Sequence, residues 1–198
     1  MAEHYYTPEP QVKSDKQLIE ENIKEKRYTF YTDAGVFSKK GIDFGSRLLI
    51  EHMDIPSHSQ VLDVGCGYGV IGLAAAIDAA HGKAVMVDVN QRAVDLAIEN
   101  AHRNQIDNVR IMRSNLFEAL SDMKFSHILS NPPIRAGKQV VHQILEEAKS
   151  HLVDGGELWI VMQKKQGAPS ALAKLEALYA KVQIVAKSKG YWVIKSIK

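Results

Sequence analysis

Residues 61–72, VLDVGCGYGVIG, constrain the fold more than any other part of the chain. An apolar, β-branched run meets an acid, then three glycines at alternate positions (Gly65, Gly67 and Gly69), then a small apolar helix pattern over residues 70–80. That order spells strand, tight turn, helix. Glycine lets the backbone take positive φ and approach a ligand closely, and the helix start behind the turn offers N–H groups without intrahelical partners. A nucleoside-bearing ligand is implied. The dinucleotide fingerprint G-x-G-x-x-G/A is met only in part, because the sixth position from Gly65 is Val70, where close helix packing asks for Gly or Ala. Asp63 places a carboxylate at the strand end, which repels a pyrophosphate and holds a cationic group. A positive or zwitterionic ligand is favoured.

A length of 198 residues allows one domain with a sizeable core, and 45% hydrophobic against 24% charged residues is an ordinary globular balance. No apolar run is long enough to span a bilayer and the first ten residues lack the pattern of a signal peptide, so a cytoplasmic location without membrane contact is expected. The single cysteine, Cys66, cannot form an internal disulfide, and no C-x-x-C or H-x-x-x-H spacing points to a metal. The net charge of +2 hides an asymmetry: residues 160–198 carry eight lysines against one acid, Glu176, a local net of +7. The first 60 residues carry eight Lys or Arg against ten acids.

Residues 1–12 read as a tail, ordered only where it docks. LIEENI and RYTFYT, separated by Lys24-Glu25-Lys26, predict a β-hairpin, and residues 33–43 a glycine-bounded loop. A helix is expected from about 44 to 53. Strands are expected at 60–64, 83–89, 109–114, 125–130 and 156–162, with helices at 70–81, 91–104, 137–152 and 168–180. Asn90 is placed to cap the helix after it. The strands AVMVDV, HILS and LWIVM are nearly continuous apolar runs, as in a parallel sheet covered on both faces. VQIVAKS and YWVIKSI are separated only by Lys189-Gly190, too short for a crossover, so the last two strands are antiparallel. The predicted fold is a doubly wound α/β domain over residues 43–198: a seven-stranded, mostly parallel sheet with an antiparallel terminal strand. Residues 1–42 precede it as tail, hairpin and site-covering loop.

In such a sheet, ligands lie outside the carboxyl ends of the strands. The first such end carries Asp63 and the glycine turn. The second carries Asp88, 23 residues after Gly65, followed by Val89; an acid there accepts ribose hydroxyls. The third runs into Ser114-Asn115-Leu116-Phe117, where a short polar side chain reads an adenine edge or caps a turn. The fourth ends at Asn131-Pro132-Pro133-Ile134. Two prolines fix two φ angles and remove two donors, leaving carbonyl oxygens and the Asn131 side chain as rigid acceptors. Methylation of a planar amine needs that, because acceptors holding the N–H protons turn the lone pair toward the incoming methyl.

The pairing of VLDVGCGYG with NPPI resembles the class I S-adenosylmethionine (SAM) methyltransferases that act on amino groups. With TDAGVFSKKGIDFGSRLLI (residues 32–50), SNLFE and NPPIRAGK, the chain is similar to the RsmC-type guanine-N2-methyltransferases of small-subunit (16S) ribosomal RNA, over nearly its whole length. The resemblance implies SAM as cofactor, held by Asp63, Gly65, Cys66, Gly67, Asp88, Val89, Asn115, Leu116 and Asn131. It implies catalysis at Asn131, Pro132, Pro133 and Ile134, and a loop with Phe37 stacking on a base. A basic rim of Lys39, Lys40, Arg135, Lys138, Lys164, Lys165, Lys187 and Lys189 is expected to meet ribosomal RNA or a ribosomal subunit. Larger members carry an extra N-terminal domain, and this chain has the catalytic half plus a hairpin. Ile134 stands where DNA-adenine and protein-glutamine methyltransferases have an aromatic, which disfavours those targets. A nicotinamide oxidoreductase is disfavoured by Asp63, Val70 and the terminal hairpin, and an RNA-binding scaffold without turnover by Asp63, Asp88 and Asn131. Cys66 as a nucleophile lacks a partner base, and Trp159, Trp192 and His127 read as core residues. The expected state is monomer or homodimer.

Overall fold

A computed structural model describes residues 10–198; the tail expectation for residues 1–9 lies outside them. Strands β1 (Gln17–Ile23) and β2 (Lys26–Thr32) form the hairpin, in register from Gln17 opposite Thr32 to Ile23 opposite Lys26. Helix α1 (Phe44–His52) follows the loop. The body alternates β3 (Gln60–Val64), α2 (Val70–Asp78), β4 (Lys83–Asp88), α3 (Gln91–Arg103), β5 (Val109–Arg113), β6 (Phe125–Ser130), α4 (Lys138–His151), β7 (Leu152–Gln163), α5 (Ala168–Leu178), β8 (Lys181–Ser188) and β9 (Tyr191–Ile197). The seven body strands make one sheet in the order β5-β4-β3-β6-β7-β9-β8, with β9 antiparallel to both neighbours. Two apolar layers enclose it. The hairpin, α1, α2 and α3 contribute to one, and α4 and α5 to the other.

The strand order reverses at β3 and β6. β3 leads outward to β4 and β5, the chain returns to β6 on the other side of β3, and it then proceeds to β7. A crevice opens at such a reversal. The glycine turn after β3 and the Asn-Pro-Pro turn after β6 therefore stand side by side, tied by the Ser130 hydroxyl donating to the Val64 carbonyl at 2.8 Å.

Two elements differ from the sequence expectation. β7 begins at Leu152 and not near residue 156, because Leu152 pairs with Phe125 before an irregularity that contains Gly155 at φ 74°. Regular pairing starts only at Glu157 opposite His127. Close helix-to-sheet approach falls at Gly72 and not at Val70: a Cβ on Gly72 would lie 2.7 Å from Met86 of β4.

The hairpin is fastened to the body by two asparagines one turn apart, Asn100 in α3 and Asn104 at its C-cap. Asn100 accepts from the Tyr31 N–H at 2.6 Å and donates to the carbonyls of Tyr31 and Tyr68 at 3.0 and 2.9 Å. Asn104 accepts from the Thr29 N–H and donates to the Thr29 carbonyl. The side-chain amides thus supply the partners that a neighbouring strand would give to the edge of β2. Asn100 is fully buried, so Asn100→Ala leaves three backbone groups unpaired, one buried and two part-buried, and is expected to cost about 2–4 kcal/mol, read from the denaturant midpoint. Unchanged stability, with Tyr31 and Thr29 amides still protected from exchange, contradicts this account of the hairpin.

Arg92, in the first turn of α3, ties down the tail and the start of the loop. Its guanidinium donates to the carbonyls of Pro10, Val12 and Ala34. The buried Asp33 accepts from the Ser14 hydroxyl at 2.6 Å and sits 3.9 Å from Arg92.

Candidate functional site

A cavity of about 490 Å³ lies at the reversal point, in the range of small-molecule sites. Its floor is the glycine turn. Gly65 and Gly67 have φ of 74° and 55°, and a Cβ on either would meet nothing within 4 Å, so both turn a bare backbone face to the open space. The turn is fixed from below by the N–H groups of Gly65 and Cys66, which donate to the Val87 carbonyl.

Asp88 closes one end of the cavity. One carboxylate oxygen accepts the Gly67 N–H at 2.8 Å and the other the Asn90 N–H at 2.9 Å. Burial raises its pKa against the lowering effect of these donors. Asn90 caps α3 as expected, accepting from the Ala93 N–H, and also donates to the Gly35 carbonyl of the loop.

The opposite wall is the Asn131–Ile134 turn. The Asn131 amide nitrogen donates to Ser46 Oγ at 3.0 Å and stands 3.3 and 3.4 Å from the two carboxylate oxygens of Asp43. The Asn131 carbonyl oxygen accepts no hydrogen bond among the described residues. One expectation is refined: the Pro133 carbonyl accepts from the Ala136 N–H at 2.9 Å and is closed into a turn. Asn131 Oδ1 and the Pro132 carbonyl accept no hydrogen bond among the described residues, and both residues line the cavity. Ile134 and Arg135 continue this wall, and Phe37, 37% exposed, covers it from the loop.

Four residues expected at the ligand do not reach the wall. Asp63 is 1% exposed and lies beneath the glycine turn, where it accepts the Gly72 N–H at 2.8 Å near the start of α2. Its other oxygen has no hydrogen-bond partner among the described residues. Burial, with the like charge of Asp88 adding, pushes its pKa up to about 7. The folded protein therefore binds this proton more tightly than the unfolded chain, whose carboxyl titrates near about 3.9. A penalty is absent below that value, grows as pH rises and is complete above about pH 7. Thermal stability is expected to fall between about pH 4 and 7 in the wild type and to fall less in Asp63→Asn; equal slopes contradict it.

Asn115, exposed on its turn, donates to Glu118 at 2.7 Å, and its carbonyl accepts the Glu118 N–H, so it caps a short turn. Leu116 is buried in the α4 and α5 layer, and Val89 stands beside the wall between Asp88 and Asn90. Cys66 is on the wall, and burial with two nearby carboxylates pushes its thiol pKa well up, which leaves it an unreactive small residue.

Of the basic residues expected at the rim, all among the described residues, only Arg135 is on the wall itself. Lys164 and Lys165 follow β7, and the Lys164 N–H donates to the Gly190 carbonyl, which brings them against the β8–β9 turn with Lys187 and Lys189. Because β8 runs parallel to β7, all four stand at the cavity edge of the sheet. Lys189 lies 4.7 Å over the Phe44 ring and Lys187 4.5 Å over the Trp192 ring. Lys138 opens α4 beside Arg135, Lys39 is paired with Asp15, and Lys40 is exposed. Lys174, Lys195 and Lys198 are paired with Glu146, Glu157 and Asp154, away from this edge.

Several wall residues were not singled out in the sequence. Tyr68 is 3% exposed, with a hydroxyl that has no partner among the described residues. Its position, between glycines of the turn, was the available signal. Asp43 and Ser46 bring the start of α1 to Asn131 across about 90 residues of chain, and Gln163, Gln166 and Tyr191 bring β7 and β9 to the same wall. Among the described residues no helix is long and apolar enough to cross a membrane.

A bound SAM fits this donor set. The bare faces of Gly65 and Gly67 give room for close approach, and the Asp88 carboxylate stands where ribose hydroxyls lie in a doubly wound sheet.

Residues 27–195 match the family model of the methyltransferase small domain. The uncharacterized protein YbxB of Bacillus subtilis is 54% identical over the full length of both chains. Ribosomal RNA large subunit methyltransferase G of Psychromonas ingrahamii is 28% identical and that of Aeromonas salmonicida 30%, across 89% and 85% of this chain. The chain spans about half of these two relatives, 47% and 46% of their length. The Thermus thermophilus 16S rRNA guanine-N2 methyltransferase RsmC, solved with AdoMet and guanosine, superposes with a TM-score of 0.82 at 25% identity, over 96% of this chain and 52% of that one. The chain belongs to the methyltransferase small domain family, and is a class I SAM-dependent methyltransferase.

Proposed function

We propose that this protein transfers a methyl group from SAM to the exocyclic N2 amine of a guanine in ribosomal RNA, with 16S rRNA of the small subunit as the first target to test. The observation that carries the reading is the orientation of Asn131. Its amide nitrogen is engaged by Asp43 and Ser46, and its oxygen is left to the cavity as an acceptor for an N–H. Such an acceptor, with the Pro132 carbonyl, would hold both protons of a planar amine and turn its lone pair out of conjugation. SAM, when bound, supplies an electrophilic methyl on a sulfonium. Asp88 and the glycine turn would hold its ribose and amino-acid ends, with Asp63 adding charge from below. Asn131 and Pro132 stabilise the nitrogen as it becomes tetrahedral and positive, after which its proton leaves to solvent without a strong base. Phe37 and Ile134 would border the base with apolar contact.

The basic edge supports an RNA substrate: Arg135, Lys138, Lys164, Lys165, Lys187 and Lys189 would neutralise phosphates around a base offered to the cavity. Methyl transfer is expected to weaken steeply between about 50 and 300 mM salt, and a flat profile contradicts this use of the edge. The target test is nucleoside analysis of 16S and 23S rRNA from cells with and without the gene. Loss of N2-methylguanosine from 16S rRNA supports the reading; loss from 23S moves the target to the large subunit, as the names of the two large-subunit relatives would have it. No change in either rRNA overturns it.

A further inference from the structure

We infer that Asp43 is a positioning residue that determines which way round the Asn131 amide stands, an inference that rests on the proposed amine methylation. The two ends of an asparagine amide are nearly equal in shape and opposite in hydrogen bonding, so a half-turn about the last side-chain bond replaces an acceptor by a donor. Asn131 needs its oxygen in the cavity; the flipped amide would meet the N–H of a target amine with another N–H. What selects between the two is the environment on the other side of the amide. There the Asp43 carboxylate presents two oxygens, 3.3 and 3.4 Å from the Asn131 nitrogen, and Ser46 Oγ stands at 3.0 Å. An ionised carboxylate has no proton to give, so it accepts only the NH₂ end.

Asp43 is itself held. Its Oδ1 accepts the N–H groups of Gly45 and Ser46 at 2.9 and 3.1 Å, as the N-cap of α1. The backbone of α1 fixes the carboxylate, the carboxylate fixes the amide, and the amide presents the acceptor. The same residue ends the loop that carries Phe37 over the cavity, so an ordered loop end and a correctly turned Asn131 come together.

Capping and positioning are separable by substitution. Asn and Ser cap helices about as well as Asp. Asp43→Asn keeps Oδ1 for the cap but replaces Oδ2, 3.4 Å from the Asn131 nitrogen, by an NH₂ that opposes the NH₂ of Asn131, and Asp43→Ser keeps the cap with a side chain too short to reach across. Both variants are expected to keep their thermal midpoint and SAM affinity. With ribosomal subunits as substrate, kcat is expected to fall about tenfold or more while KM stays within about twofold.

A second readout needs no turnover. In ¹⁵N-labelled protein, the side-chain amide pair of Asn131 is identified by its absence from Asn131→Ala. It is expected to be slow to exchange in the wild type, and shifted and faster to exchange in Asp43→Asn. An amide pair unmoved in Asp43→Asn overturns the inference, as does a kcat kept within twofold or lost only in step with the thermal midpoint. If the wild type methylates no ribosomal subunit, the proposed function fails while the amide pair still decides the positioning: moved supports it, unmoved overturns it.

Discussion

Asn131→Ala is expected to lower methyl transfer by about 10²–10³-fold while SAM still binds. The effect is large because the side chain acts where charge develops. Its oxygen has no partner among the described residues and the residue lines the cavity, so on the proposed function a hydrogen bond from this oxygen to the amine would strengthen as nitrogen gains positive character. Little of the fold depends on it, since Asp43 retains its two backbone partners and Ser130 still ties the turn to β3. Single-turnover transfer and calorimetric titration with SAM separate the two quantities. A variant that loses SAM binding and transfer in equal measure contradicts the assignment of Asn131 to the target amine.

Asp88→Ala is expected to raise the Kd for SAM by about 100-fold or more. Two charge-assisted hydrogen bonds disappear, from Gly67 and Asn90, each worth roughly 1.5–3 kcal/mol, and a 100-fold change in Kd corresponds to about 2.7 kcal/mol. The Gly67 N–H loses the partner that fixes the turn, and on the proposed mode of SAM binding the ribose hydroxyls would lose their acceptor. Asp88→Asn repairs only part of this, because one of its two ends is a donor facing a backbone donor. Titration calorimetry on both variants tests the account; a Kd within threefold of the wild type in Asp88→Ala contradicts it.

The architecture was legible because the apolar strand runs, the glycine turn and the final hairpin are local signals, each confined to a dozen residues or fewer. Even the direction of β8, and with it the position of Lys187 and Lys189, followed from a two-residue connection between strand patterns. What escaped was mostly tertiary. The Asp43–Asn131 contact joins residues 88 apart, and nothing in the local pattern GIDFGS announces that its acid serves both a helix cap and an amide across the cavity. Asp63 was read correctly as a strand-end carboxylate, yet a strand end alternates its side chains between faces, and this one points under the turn to Gly72. Of the two local readings of Asn115, the turn cap is realised because Glu118 offers a partner three residues on. A usable signal was missed in α3. Asn100 and Asn104 lie one turn apart around the apolar stripe of Ala93, Ala97 and Ala101, and a polar pair so placed needs partners that the helix itself does not supply.

The most direct test of methyl transfer to rRNA uses small and large ribosomal subunits from cells lacking the gene, incubated with labelled SAM and either the wild type or Asn131→Ala, followed by nucleoside analysis. The account predicts label in N2-methylguanosine of one subunit, present with the wild type and absent with the variant. Label in another nucleoside, or equal label with both proteins, contradicts it.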